Sequence, residues 1–323
     1  MKQIKPQQTK PKSKGFKREL LIISGSVLII FVILWVVISV ATAYSLMNPA
    51  RKPLYTAPEE LGLDNYEYFE VPGPKAGDNM IGWWIPAQER KGNVINSDKT
   101  VIFSHNYGSN REMIEISGLY FARYLVENGY NVVMFDYAGS GRSEGSKYTM
   151  GHEEKDELLS VIKYIKETKK STKIALHGWA FGAAAAIMAG AESEAITTII
   201  ADSSYADLET NMQKNLSMWT NLPDFLFSPV IRAILPIMAG TDLWNTSPMN
   251  AIKTMSNKNI FFIHGDSDSV FPYSDSQDMY QEAIKNNTSE IWIVENSLHI
   301  YGFMEQEENY ANKVLDFLNK TMK

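Results

Sequence analysis

Lys173-Ile174-Ala175-Leu176-His177-Gly178-Trp179-Ala180-Phe181-Gly182-Ala183-Ala184-Ala185-Ala186 is the stretch on which the fold turns. Lys173–Leu176 is a short apolar run of the kind that forms a strand buried on both faces. Phe181–Glu192 reads as a helix. Between them, Gly178 and Gly182 stand two residues on either side of Ala180. A turn passing directly from strand to helix crowds its two backbone arms, and glycines at these positions remove side chains that would collide. The alanines that follow let the helix sit close on a sheet. Gly-x-x-x-Gly alone is a weak pattern; its weight comes from the strand before it and the helix after it.

The same alternation extends in both directions. Thr100–Ser104, Asn131–Asp136, Ala195–Ala201, Ile260–His264 and Glu290–Val294 are short, mostly apolar runs bounded by turns. Ile114–Glu127, Glu153–Glu167, Ser274–Asn286 and Asn309–Met322 carry helical spacing between them, and Tyr66–Val71 with Asn79–Ile85 reads as an opening hairpin. Strands alternating with helices predict a mostly parallel sheet covered on both faces. One stretch breaks the rhythm: from Ser203 to Ser247 no strand is predicted, yet Leu208, Met212, Trp219, Phe227, Ile231 and Leu235 recur. It reads as a helical insertion over the carboxyl edge of the sheet.

Three loops at strand ends carry chemistry-bearing residues. His105-Asn106-Tyr107-Gly108-Ser109-Asn110-Arg111 follows the first buried strand, and Asp136-Tyr137-Ala138-Gly139-Ser140-Gly141-Arg142-Ser143-Glu144-Gly145 the next. Gly139-x-Gly141 could pass for a dinucleotide fingerprint, but no helix start follows and no acid closes a second strand. Further on come His264-Gly265-Asp266-Ser267-Asp268-Ser269-Val270-Phe271-Pro272 and, after the last strand, Glu295-Asn296-Ser297-Leu298-His299.

Taken in order, these motifs resemble the α/β-hydrolase superfamily from Leu61 to Lys323, with a closest likeness to bacterial membrane-tethered proteins of the serine aminopeptidase and dienelactone-hydrolase-like groups. That resemblance implies a strained elbow whose middle residue is a nucleophilic serine, followed in the chain by an acid and a histidine. Carried onto this sequence, Ala180 takes the nucleophile position, Asp268 the acid and His299 the general base, while Asp266 is a turn residue. The first loop resembles the family's His-Gly-…-Asn-Arg loop with Asn106 in place of the glycine, a mild exchange if positive φ is required there. The resemblance places the oxyanion hole at the backbone N–H groups of Tyr107 and Phe181. The second loop departs from the family at Ala138, where arginine is common. His105, His177 and His264 are expected to serve structure, and His152 to be solvated or to cap a helix. No cofactor or metal is implied.

Alanine has no oxygen with which to attack. Removing a catalytic serine costs on the order of a million-fold in other serine hydrolases. No neighbour is expected to substitute: Trp179 and Phe181 are not nucleophiles, and Ser203 and Ser204 are expected two strand ends away. Three explanations are open. The alanine was introduced into a working hydrolase, the chain is a natural pseudoenzyme serving as a tethered binding or scaffold protein, or a His-Asp pair directs other chemistry. The intact elbow glycines, Asp268 and His299 favour the first.

The other 60 or so residues are of a different kind. Residues 1–18 hold seven basic side chains and no acid; Leu20–Thr42 is an uncharged run of 23 residues, about 35 Å long as a helix against a hydrocarbon core of roughly 30 Å. The layout predicted is a cytoplasmic basic tail at 1–18, a transmembrane anchor at 19–44, a linker at 45–61 and a hydrolase domain at 62–323 with its insertion at about 204–247. The rival is a signal peptide cleaved after Ala41-Thr42-Ala43. Either way the positive-inside rule places the domain outside. Taking the seven basic residues and Glu19 from totals of 31 and 37 leaves 24 against 36, a net of about −12, which does not suit nucleic acid. The chain has no cysteine, so disulfides and thiolate chemistry are excluded. The expected partner is a small-molecule or peptide acyl substrate.

Overall fold

The computed structural model describes residues 13–90, 92–169 and 171–323. Most of the basic tail therefore lies outside the described residues. In chain order the elements are α1 (Ser13–Met47), β1 (Glu67–Val71), β2 (Met80–Ile85), β3 (Lys99–Ser104), α2 (Gly118–Glu127), β4 (Asn131–Phe135), α3 (Glu154–Thr168), β5 (Lys173–Trp179), α4 (Phe181–Glu192), β6 (Ile196–Asp202), α5 (Leu208–Thr220), α6 (Asp224–Ala239), α7 (Pro248–Thr254), β7 (Asn259–Gly265), α8 (Tyr273–Ala283), β8 (Thr288–Val294), α9 (Gly302–Glu305) and α10 (Glu307–Thr321).

The eight strands form one sheet in the order β1-β2-β4-β3-β5-β6-β7-β8. β1 and β2 make the predicted hairpin, β2 is antiparallel to β4, and every pair from β4 to β8 is parallel. This is the mostly parallel sheet that the pattern of buried runs implied. β4 is buried along its whole length and β5 nearly so, whereas the edge strand β8 is half-exposed.

Two apolar cores flank the sheet. One packs Phe103, Leu125, Val314 and Phe317 beneath α2 and α10, and the other Leu158, Ile162, Leu176, Ile187 and Met279 beneath α3, α4 and α8. α4 is apolar all round and almost fully buried, as a helix lying centrally on a sheet must be. The chain leaves β3 outward to β4, then returns past it to β5. The loops after β3 and β5 therefore diverge, and a crevice opens at their carboxyl ends.

Three expectations need adjusting. Ile114–Glu127 is broken into a 3₁₀ turn and α2, because Met113 and Ser117 take φ of 48° and 54°. β5 runs past Leu176 to Trp179, directly into the turn. The stretch 45–61 is docked rather than loose. The Arg51 guanidinium donates to the carbonyls of Ser143 and Gly145, Asn110 to those of Lys52 and Pro53, and the Glu112 carboxylate accepts the N–H groups of Tyr55 and Thr56.

α1 is long and apolar enough to cross a membrane. Along its first two-thirds, side chains such as Leu21, Leu28 and Ile30 are exposed. Its last third packs on α6 through Trp35, Ser39, Ala43 and Met47, one residue per helical turn, and the Trp35 indole donates to Leu226 O at 2.9 Å. α5 and α6 are the predicted insertion.

Candidate active site

Ala180 joins β5 to α4 with φ 52° and ψ −114°. That is outside the regions open to ordinary L-residues, so the surroundings must hold it. They do so through the backbone. Ala180 N–H donates to Asp202 O at 2.8 Å, and Ala180 O accepts Ala184 N–H at 3.1 Å to start α4. The flanking glycines are required by close approach. A Cβ on Gly178 would lie 2.6 Å from Ala183 Cα, and one on Gly182 would lie 2.5 Å from His105 O. The Ser104 hydroxyl donates to Gly182 O at 2.7 Å and tethers the end of β3 to the same turn.

Phe181 is the first residue of α4, so its N–H has no intrahelical acceptor and sits at the positive end of the helix. Tyr107 is brought beside it, with ring centroids 5.8 Å apart. The Tyr107 N–H, expected to point at a ligand oxygen, donates instead to the Asn106 side-chain carbonyl at 2.6 Å. Asn106 is also not at positive φ; Gly108 is, at 62°. In this loop asparagine supplies an acceptor rather than conformational freedom. Burial lifts the Tyr107 phenol to about 12, and its hydroxyl donates to Leu46 O at 2.9 Å.

His299 and Asp268 meet as the motif order predicted. His299 Nδ1 lies 2.7 Å from Asp268 Oδ2, the acid fully buried and the imidazole only slightly exposed. Asp268 Oδ1 accepts the N–H groups of Val270 and Phe271 at 2.7 and 2.9 Å. Burial alone would raise this carboxyl, but the hydrogen bonds to His264 and His299 outweigh it and hold the group well below the usual carboxylate range. His264, expected to be merely structural, is therefore part of this array. Its Nε2 lies 3.1 Å from Asp268 Oδ2 and 3.1 Å from Phe271 O, and its Nδ1 lies 2.7 Å from the Ser276 hydroxyl. With two acceptors facing Nε2, that nitrogen carries the proton. The available signal was the spacing of four between His264 and Asp268. Asp266 accepts the Asn296 N–H at 2.7 Å and so links the acid loop to the loop bearing His299.

These groups converge on a cleft of about 350 Å³, lined by Tyr107, Met150, Phe181, Trp219, Val270 and His299, with Ser45 and Leu46 of α1 closing one side. The contribution of α1 had no signal in the sequence. A second feature missed there is the buried ion pair between Arg111 and Asp136 at 3.1 Å, which fastens the Tyr107 loop to the loop after β4.

Ser203 is closer than expected. β6 pairs directly with β5, so Ser203 is one strand end from Ala180. Its hydroxyl nonetheless donates to Asp202 at 2.8 Å, accepts the Ile300 N–H at 3.2 Å and is fully buried. It shapes the backbone next to His299 and does not line the cleft. His152 is half-buried and bridges the hydroxyls of Thr246 and Thr241 at 2.9 Å each. His105 accepts the Tyr137 N–H at 3.1 Å, and His177 shares the Tyr310 hydroxyl with Asp202. Burial lowers the pKa of both histidines. Among the described residues no group of three His, Asp or Glu could hold a metal ion.

The sequence model of the prolyl oligopeptidase family matches residues 119–323. The chain belongs to the prolyl oligopeptidase family. The matched segment holds Ala180, Asp268 and His299. YqkD of Bacillus subtilis is 26% identical over 227 residues, covering 69% of this chain and 72% of its own. YfhR of Escherichia coli K12 is 23% identical over 248 residues, covering 76% and 78%. Among solved structures, the Pyrococcus furiosus esterase Pf2001 superposes with a TM-score of 0.70 at 26% identity, over 85% of this chain and all of its own. The Pyrococcus horikoshii acylaminoacyl peptidase, 15% identical, shares the fold alone, with a TM-score of 0.58 over 80% of this chain and 42% of its own.

Proposed function

We propose that this member of the prolyl oligopeptidase family is a membrane-anchored, serine-hydrolase-type protein built to act on an ester, thioester or amide, and that with alanine at position 180 it binds without turnover. One observation carries the reading. A strained strand-to-helix turn, a helix N-terminus and a His299–Asp268 pair border one mostly apolar cleft, and residue 180 lacks the oxygen with which a nucleophile would attack. In the active form a serine would attack the acyl carbon and pass its proton to His299, with Asp268 fixing the tautomer. Phe181 N–H would face the developing oxyanion, and Tyr107 N–H would join it once Asn106 turns aside. The likeness to an esterase at 26% identity supports acyl-ester chemistry.

The anchor reading is supported by α1 itself. Its uncharged run of 23 residues is longer than the roughly 7–15-residue apolar region of a cleaved leader. We place the tail at 1–18 in the cytoplasm and the domain at 62–323 outside.

The test is Ala180→Ser. That protein is expected to label with a fluorophosphonate probe where the parent does not, and His299→Ala is expected to abolish the labelling. Absence of labelling in a folded Ala180→Ser protein would refute the hydrolase reading. It would leave the tethered binding protein, which the alanine and the closed Tyr107–Asn106 contact favour. Intact mass of the membrane-extracted protein tests the anchor, since a loss of about 43 residues would mean a cleaved leader.

A further inference from the structure

α6 is more apolar outside than a cap over a water-filled site needs to be. Its exposed positions are Phe225, Pro229, Ala233 and Ile237, spaced four apart along one stripe, with only Asp224 polar beside them at the amino end. Phe225 is 84% and Ile237 79% exposed. Its single cation, Arg232, is turned aside to Glu209 on α5 at 2.9 Å.

The position of this stripe follows from three contacts. Trp35 donates to Leu226 O; Tyr148 N–H donates to Met47 O at 2.8 Å; and the ammonium of the adjacent Lys147 donates to Met238 O at 3.0 Å. Trp35 to Met47 and Leu226 to Met238 are both twelve residues, so α6 runs alongside the last third of α1 in the same direction and at the same level. The apolar run of α1 ends at Thr42. Leu226, level with Trp35, therefore lies about 10 Å inside that end at 1.5 Å per residue. Ser45 and Leu46, which close the cleft, lie only about 5 Å beyond it.

We propose that α6 is a second membrane-contacting helix, the Phe225–Pro229 half of its stripe lying among the acyl chains of the leaflet from which the domain emerges and Ile237 at its headgroup level, and that the cleft takes an ester-bearing amphiphile from that leaflet. This rests on α1 spanning the membrane, as read above. The occupant is lipid because the stripe continues the lipid-facing surface of α1. Asp224 opposes immersion, at about 2.5–3.5 kcal/mol for a carboxylate deep in a bilayer, a cost that the Ser228 hydroxyl it accepts reduces. A cleft just above the hydrocarbon boundary, with apolar walls at Leu46 and Trp219, meets the carbonyl of an interfacial ester while its chain stays in the leaflet.

The chain has no cysteine, so single cysteines report cleanly. Leu28→Cys, Phe225→Cys, Ile237→Cys and Glu194→Cys, each in the full chain, would carry an environment-sensitive fluorophore in phosphatidylcholine vesicles containing a doxyl-labelled lipid. Quenching at 28 and 225, weaker at 237 and absent at 194, on the opposite edge of the sheet, is the expected result. Quenching at 28 without quenching at 225 would overturn the proposal and leave the anchor standing. Absence at 28 would remove the anchor and the proposal together. In an Ala180→Ser background, Phe225→Asp should slow hydrolysis of a vesicle-borne long-chain ester on the order of tenfold and leave a water-soluble short-chain ester unchanged. Equal effects on the two esters would overturn the proposed route to the site.

Discussion

Replacing Arg111 by methionine should destabilise the fold by several kcal/mol, although Arg111 lies outside the cleft. Arg111 and Asp136 are both fully buried. Asp136 accepts the Arg111 N–H at 2.6 Å, the Arg111 guanidinium at 3.1 Å and the Arg142 N–H at 2.8 Å. The guanidinium also donates to Ile81 O and stands 4.7 Å from the Trp83 ring centre. Methionine keeps much of the volume but leaves a buried carboxylate with backbone donors only. Breaking one side of such a pair costs about 3–5 kcal/mol, and losing the contact with the Trp83 face adds about 0.5–2 kcal/mol. For a domain somewhat above 250 residues, about 2 °C of Tm per kcal/mol makes the ion-pair loss alone worth roughly 6–10 °C. Differential scanning fluorimetry of the full chain in detergent would read it. Asp136→Asn should cost a similar amount by stranding the cation, and Arg111→Met with Asp136→Asn should cost much less than the two single losses together. A shift below about 2 °C for Arg111→Met, or strict additivity in the double variant, would refute the reasoning.

Gly178→Ala should lower Tm by roughly 2–6 °C, because its Cβ meets Ala183 Cα at 2.6 Å and the adjoining backbone cannot yield cheaply; an unchanged melt would mean that the turn is loose. Glu157, buried and accepting the Ala138 N–H at 2.9 Å, has its carboxyl pushed well above the ordinary 4.5 by burial and then by Glu154. The folded state thus keeps a proton that the unfolded chain releases, so this group's contribution to stability declines as pH rises above about 4.5. Glu157→Gln should flatten that decline in thermal scans between about pH 5 and 8, and an unaltered slope would count against it. In the Ala180→Ser background, His264→Gln should slow fluorophosphonate labelling about 10- to 100-fold by loosening Asp268, on the basis of about 1.5–3 kcal/mol for a hydrogen bond to a charged group. A loss as complete as that of His299→Ala would instead make His264 the base.

Much of this chain could be read without its structure, because its signals are local. Alternation of buried runs with helical spacing sets the sheet, since strands covered on both faces must be continuously apolar. The elbow is legible at Gly178 and Gly182 because a backbone collision can be relieved there only by absence of a side chain. Asp268 and His299 could be matched because each follows a strand, and parallel strands deliver such loops to one edge.

Other features belong to the tertiary structure. No spacing rule says that His264 would share Asp268 with His299, or that Asn106 would turn its amide onto the Tyr107 N–H; both depend on where loops from different strands come to rest. Ser203 was misplaced by one strand because strand order is set by crossovers, not by sequence distance. α1 shows the division most plainly. By itself the sequence determined an apolar helix long enough for a bilayer, since length and hydropathy are properties of a segment. That Ser45 and Leu46 would form a wall of the cleft, with α6 laid along Trp35, Ser39, Ala43 and Met47, was decided only by packing. A helix face acquires its role from the surface that it meets, and that surface lies some 190 residues away in the chain.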